Sequence, residues 1–143
     1  MRSLHAERVV DSTPERVYGF LERLENHFRL NDEYLRVEAL RPDRTGATIS
    51  IRAPGGLRRT AWTEVTTALA PRRFGGTVTA TTRTQAEAWW TIEPTTRGAL
   101  VALRAEIFPR GILDRVLLAL GGRWWLERRC MRVVARLGIE LAH

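Results

Sequence analysis

Three histidines, one cysteine and a field of arginines are the side chains here that could do chemistry, and their spacing limits what kind. His5, His27 and His143 lie too far apart to suggest a ligand set. No Cys/His or carboxylate cluster has ligand spacing either, so no metal is expected. His27 is the most suggestive polar residue. It stands beside Phe28 and close to Tyr34, and a group titrating near neutrality suits proton transfer to or from a bound carbonyl compound. The alternative is a partly exposed histidine in a helix-ending loop. Arg58 and Arg59 follow the turn Pro54-Gly55-Gly56-Leu57, where a guanidinium could hold a carboxylate or phosphate. Surface arginine is the competing reading. His27 and Arg58 are therefore the candidate catalytic residues. The pairs Gly55-Gly56 and Gly75-Gly76 are turn or strand-bend devices rather than phosphate loops, because neither joins a strand to a helix with a following Lys. Cys130 has no histidine placed beside it and reads as a small core or boundary residue. No cofactor is expected.

At 143 residues the chain fits one domain, 1–143, and is too short for two ordinary ones. A hydrophobic fraction of 44% with 27% charged residues is globular, which excludes fibrous and disordered classes. A single cysteine cannot form an intrachain disulfide, which suits a reducing compartment. The N-terminus lacks a signal peptide's apolar core, and Arg123, Glu127, Arg128 and Arg129 interrupt the most apolar stretch, so no integral membrane association is expected. Cytoplasmic is the expectation. The net charge of +7 rests on arginine alone, with 11 Arg against 10 acids in residues 1–71 and 12 against 6 in residues 72–143. A basic half can mark a surface for anionic lipid or nucleic acid. Here the arginines are scattered and carry no recognition motif, so nucleic acid is not an expected partner.

The elements that must position these groups follow from periodicity. Residues 3–10 form a short strand. Thr13 then caps a helix that Pro14 and Glu15 begin, and Val17, Phe20, Leu21, Leu24 and Phe28 give it one apolar stripe. A break is expected near Glu25-Asn26, with a short second helical turn over residues 27–32. From residue 34 the period becomes two. Segments 35–40, 47–53, 57–70, 74–82, 85–94 and 99–108 are joined by short turns, which implies an antiparallel meander. After Pro109-Arg110-Gly111, apolar residues recur at helical spacing at Leu113, Val116, Leu117, Leu120, Trp124, Met131, Val134, Leu137 and Leu141. Gly121-Gly122 should kink this long helix or let another element come close.

Six or seven strands with one apolar face need covering, and one helix about 10 Å wide cannot cover them unless the sheet curls around it. Curling leaves a space between sheet and helix. Strand alternation turns Ile49, Ile51, Ala61, Thr63, Val65, Val78, Trp90, Ile92, Val101 and Leu103 toward the helix, with Trp62 and Glu64 outward unless a bulge shifts the register. The expected lining of the hollow is Phe28, Tyr34, Ile49, Ile51, Thr63, Val78, Trp90, Val101, Leu117, Leu120, Gly121 and Trp124, plain core being the other role open to each. Trp124 would fill the hollow or stack on a ligand ring. Trp125, rotated about 100° from it, would meet a sheet edge, a partner chain or solvent. An exposed Trp rimmed by Arg128, Arg129, Arg132 and Arg136 would support a homodimer or membrane contact.

Three segments carry a family likeness. Asp11-Ser12-Thr13-Pro14-Glu15-Arg16-Val17-Tyr18 looks like the family's entry to its first helix. Trp62-Thr63-Glu64-Val65 through Leu69-Ala70-Pro71-Arg72-Arg73-Phe74 is similar to its central strand-turn-strand, and Trp90-Thr91-Ile92-Glu93-Pro94 with Gly98 and Val101 to its late hairpin. With the element order, these make nearly the whole chain resemble the START-like (SRPBCC) superfamily, which includes lipid-transfer domains and bacterial polyketide cyclase/dehydrase-like proteins. The resemblance implies an α+β helix-grip fold, with a curved antiparallel sheet wrapped around a long C-terminal helix and two short helices after the first strand. It also sets His27 where the second helix meets the pocket mouth. The function expected is binding or transport of a small hydrophobic ligand, such as a lipid, polyketide or quinone-like compound. The alternatives are a cyclase/dehydratase-like or hydrolase enzyme using the same cavity, which works mainly by positioning, and a basic module for anionic surfaces.

Overall fold

The computed structural model describes residues 2–31, 35–43, 45–52 and 58–142. Tyr34 and the turn before Arg58 lie outside them. The order is β1 (Arg2–Val10), α1 (Pro14–Leu21), α2 (Leu24–Leu30), β2 (Leu35–Leu40), β3 (Gly46–Arg52), β4 (Arg58–Leu69), β5 (Arg73–Ala80), β6 (Gln85–Thr95) and β7 (Gly98–Phe108). The chain ends in α3 (Ile112–Leu117), a π turn (Leu118–Gly122) and α4 (Arg123–Leu141). The strands form one antiparallel sheet in the order β1-β7-β6-β5-β4-β3-β2. Among the described residues no helix is long and apolar enough to cross a membrane.

Register follows parity. Ile49 pairs with Ala61, Thr63 with Val78, Trp90 with Leu103 and Ile92 with Val101, so the inward residues form cross-strand rows on the helix side. Trp62 and Glu64 are exposed on the other face. β4 carries a bulge between Val65 and Thr67, opposite Gly76 and Gly75 of β5. A Cβ on Gly75 would lie 2.6 Å from Trp89 Cβ, and one on Gly76 would run into the Glu64 carbonyl. The missing side chains let β4 and β6 close on β5 where the bulge bends the sheet.

Helix boundaries differ from the sequence expectation in two places. The first break falls at Glu22–Arg23 rather than Glu25-Asn26. Asn26 Nδ2 donates to the Phe20 carbonyl at 2.8 Å and His27 Nε2 bonds the Leu21 carbonyl, so two side chains satisfy the end of α1 and allow it to stop early. Val17, Leu21 and Leu24 are nonetheless all buried in one cluster, with Phe28 packed against it. The long helix kinks at Gly121-Gly122 as expected, and the second difference is what the kink does to its inner face. Gly121 sits at φ 112°, in the left-handed region, and Leu120 leaves helical geometry at ψ 21°. The helix therefore restarts at this point, and the 3.6-residue stripe that runs through Leu120 and Trp124 does not stay on the inner face.

The solid core lies where α1 and the last turns of α4 meet β1, β6 and β7. Val17, Leu21, Ile92, Val101, Val134 and Leu137 are each at most 2% exposed there.

Candidate functional site

The helix does not lie along the middle of the sheet. The second half of α4 packs on β1 and β7, which leaves β3 to β6 facing residues 117–133 across open space. The resulting cavity holds about 400 Å³. Ile49, Ile51, Val65, Val78, Trp90 and Leu103 line it from the sheet, Leu24, His27 and Phe28 from α2, and Leu117, Leu118, Trp125, Leu126, Cys130 and Val133 from the helix side. The lining is overwhelmingly apolar.

Polar groups gather at two ends. At one, Arg59 donates to Asp114 Oδ1 at 2.5 Å, Thr82 donates to Oδ2 at 3.0 Å, and the Thr84 hydroxyl also donates to Oδ2 while accepting from Arg110 N–H at 3.0 Å. Asp114 is 6% exposed. Burial, the largest influence on its carboxyl, pushes the pKa up, but the hydrogen bonds from Thr84, Arg59 and Thr82 together outweigh it and hold the group below its usual value of 3.8. The network fastens α3 to β4 and to the β5–β6 turn.

At the other end, the His27 ring stacks on Phe74 with centroids 5.4 Å apart and meets the edge of Trp90 at 6.3 Å. Burial lowers its pKa, and the bond to the Leu21 carbonyl opposes that only in part. A neutral ring whose Nε2–H is given to Leu21 leaves Nδ1 as its free nitrogen. β5 spans the distance between the two ends, from Phe74 beside His27 to Ala80 near Asp114, about 20 Å at strand rise. His27 and the Arg59 end cannot act on one reacting atom together.

Of the residues the sequence nominated, His27, Phe28, Ile49, Ile51, Thr63, Val78, Trp90 and Leu117 stand on the cavity wall. Val101 is fully buried in the core instead. Arg58 is exposed, paired in register with Arg52, and Arg59 takes the inward place because it shares parity with Ala61 and Thr63. Leu120 and Trp124 are 79% and 61% exposed, and Gly121 forms the hinge. Leu118, Gly122 and Trp125 hold the wall there, since the break at Gly121 rotates the helix that follows. Sequence reasoning passed over Asp114, although it is the only acid between Glu106 and Glu127 and sits in an apolar run. Cys130 lines the cavity, and burial, then Glu127, pushes its thiol up to about 11. Among the described residues no group of three or more His, Cys, Asp or Glu side chains could hold a metal.

A seven-stranded antiparallel sheet with two short early helices, gripping a long C-terminal one, defines the helix-grip class. Residues 1–141 match the family model for polyketide cyclase / dehydrase and lipid transport, and the chain belongs to that family. The fold recurs in the crystal structure of TTHA0849 from Thermus thermophilus, at 20% identity and TM-score 0.75, with 99% of this chain and 97% of that one covered. A Deinococcus radiodurans protein shares it at 16% identity and TM-score 0.68 over 97% and 96% of the two chains. The solution structure of KanY does so at 14% identity and TM-score 0.78 over 99% and 98%. No curated protein matches the sequence. Family and fold support hydrophobic ligand binding in general.

Proposed function

We propose that the chain binds and carries a small, largely apolar molecule in the cavity between β3–β6 and residues 117–133. The observation that supports this reading is the cavity itself: about 400 Å³, within the roughly 300–1,000 Å³ usual for ligand sites, lined almost wholly by apolar side chains. The apolar body of the ligand lies against Ile49, Ile51, Val78, Trp90, Leu117 and Trp125, and a single polar group reaches Arg59 or Thr84 at one end. Catalysis in the same space has weaker support, because His27 has one ring nitrogen committed to Leu21 and stands at the far end from Arg59. A lone cysteine fits a reducing, cytoplasmic setting. Native mass spectrometry of the purified protein, with a thermal-shift screen of lipids, polyketide aromatics and quinones, tests the reading. A bound apolar compound is expected, together with its loss in Val78→Trp, which fills the hollow while leaving the circular dichroism spectrum native. No shift with any compound, or equal binding by the filled variant, would overturn it.

A further inference from the structure

The segment that forms one wall of the cavity is apolar on its other side too. Ile112, Leu113, Val116, Leu120 and Trp124 are all exposed large hydrophobic residues, whereas Leu117, Leu118 and Trp125 turn inward. Contiguous exposed apolar side chains on a helical segment mark a surface that meets something. Charge says what. Arg110, Arg115 and Arg123 are exposed around the patch, and the Arg128 guanidinium lies 4.7 Å from the Trp124 ring. Between Glu106 and Glu127 the one acid is Asp114, which is buried and bound to Arg59, while Glu127 is paired with Arg123 at 3.6 Å. Among the described residues from Glu106 to Glu127, the patch thus joins apolar side chains to the exposed Arg110, Arg115 and Arg128, and the one partly exposed acid at its edge, Glu127, is neutralised by Arg123.

We infer that α3, the Gly121 hinge and the first turn of α4 form a docking surface for anionic lipid membranes. Exposed aliphatic and Trp side chains enter the headgroup boundary while arginines contact lipid phosphates, as in helices that lie on a bilayer without crossing it. A second copy of the chain fits less well, since a two-fold contact through this patch would set arginine against arginine. Docking here places a wall of the cavity at the lipid surface, where an apolar molecule could pass between the two.

Co-sedimentation of the full chain with phosphatidylcholine vesicles, with and without phosphatidylglycerol, tests this. The protein should sediment with the anionic vesicles and not the neutral ones, and raised salt should release it. Leu120→Ser and Trp124→Ser should each weaken binding about tenfold, and Arg115→Gln about fivefold, with thermal melts unchanged because all three residues are exposed. Four results would overturn the inference. They are equal binding to both vesicle types, binding to neither, serine variants that sediment like wild type, or a concentration-dependent dimer in light scattering that Leu120→Ser dissolves. Vesicle binding by a protein that holds no cavity ligand would leave this inference standing and remove the preceding one.

Discussion

The C-terminal helix behaves as two different objects along its length. From Val133 to Leu141 it is core: Val134 and Leu137 are essentially inaccessible and pack with Val10, Val17, Leu21 and Val101. From Leu117 to Cys130 it is a wall, with apolar side chains facing a hollow that the sheet does not fill. One helix, one sheet and similar residue types produce both, so composition does not explain the difference. Position does. The second half of the helix lies on β1 and β7, where strand and helix can touch, while the first half faces a sheet that extends five strands further. The chain joins a closely packed region to one that leaves space between helix and sheet, and the Gly121 hinge lies on the open side.

That contrast sets the largest expected effect. Leu137→Ala removes a side chain from a site closed on all sides, where truncation should cost about 2–5 kcal/mol. Val78→Ala removes methyls that already border the hollow and should cost only about 1 kcal/mol. Urea denaturation of the two variants measures the ratio. Equal losses would mean that the cavity is packed as tightly as the core, and the comparison would fail.

Next in size is the fastening of the hollow end. Asp114→Asn weakens a carboxylate that accepts from Arg59, Thr82 and Thr84 and leaves the guanidinium without its counter-ion, for a loss of about 1–3 kcal/mol. The pH dependence has a definite sign. Because the native carboxyl titrates below 3.8, its stabilisation is complete above the unfolded value and disappears as pH falls through the native one. Wild type and Asp114→Asn should therefore converge in stability below about pH 4. A constant gap down to strong acid would refute a charged Asp114.

The sheet side of the molecule was far more legible in the sequence than the helix side. Strand alternation placed Ile49, Ala61, Thr63, Val78, Trp90 and Ile92 inward, because a strand has two faces and one apolar set decides between them. The helix offered no such choice. Residues 112–126 are apolar on two sides, so periodicity alone could not tell the cavity face of Leu118 and Trp125 from the outer face of Leu120 and Trp124. The Gly121-Gly122 pair announced a kink, but how far the left-handed Gly121 resets the phase is not written in a regular repeat. Arg59 shares the parity that turns Ala61 inward, whereas Arg58 has the opposite parity and faces out. Asp114 was hidden for another reason. Its partners Arg59, Thr82 and Thr84 lie 30 to 55 residues away in sequence, and only the closed sheet brings them together.

His27 marks the boundary between the two regions and should show a smaller effect, visible in pH rather than in a single midpoint. Its native imidazole resists protonation because of burial, whereas the unfolded chain protonates near 6.5. Below that pH the unfolded state binds the extra proton, so stability declines as pH falls until the native ring itself titrates. His27→Gln, which keeps a donor for the Leu21 carbonyl, should flatten that decline in urea midpoints measured on either side of pH 6.5. If the decline persists unchanged in the variant, His27 is not the group responsible.

The smallest effect is kinetic and probes the empty side directly. Cys130 lines the cavity, and with its thiol pushed up to about 11 only about one molecule in a thousand is thiolate near pH 8. Alkylation by iodoacetamide should then run about a hundredfold slower in the folded protein than in urea, where the thiol titrates near its ordinary value. An apolar molecule seated against Leu126 and Cys130 should slow it further, because the reagent must enter the same space. Mass spectrometry of the modified chain follows both rates. Labelling as fast as in the unfolded chain would show that solvent reaches this part of the helix freely. The wall of the cavity would then be no better shielded than the outer face of the helix, and the contrast between the two halves of the helix would reduce to one of exposure.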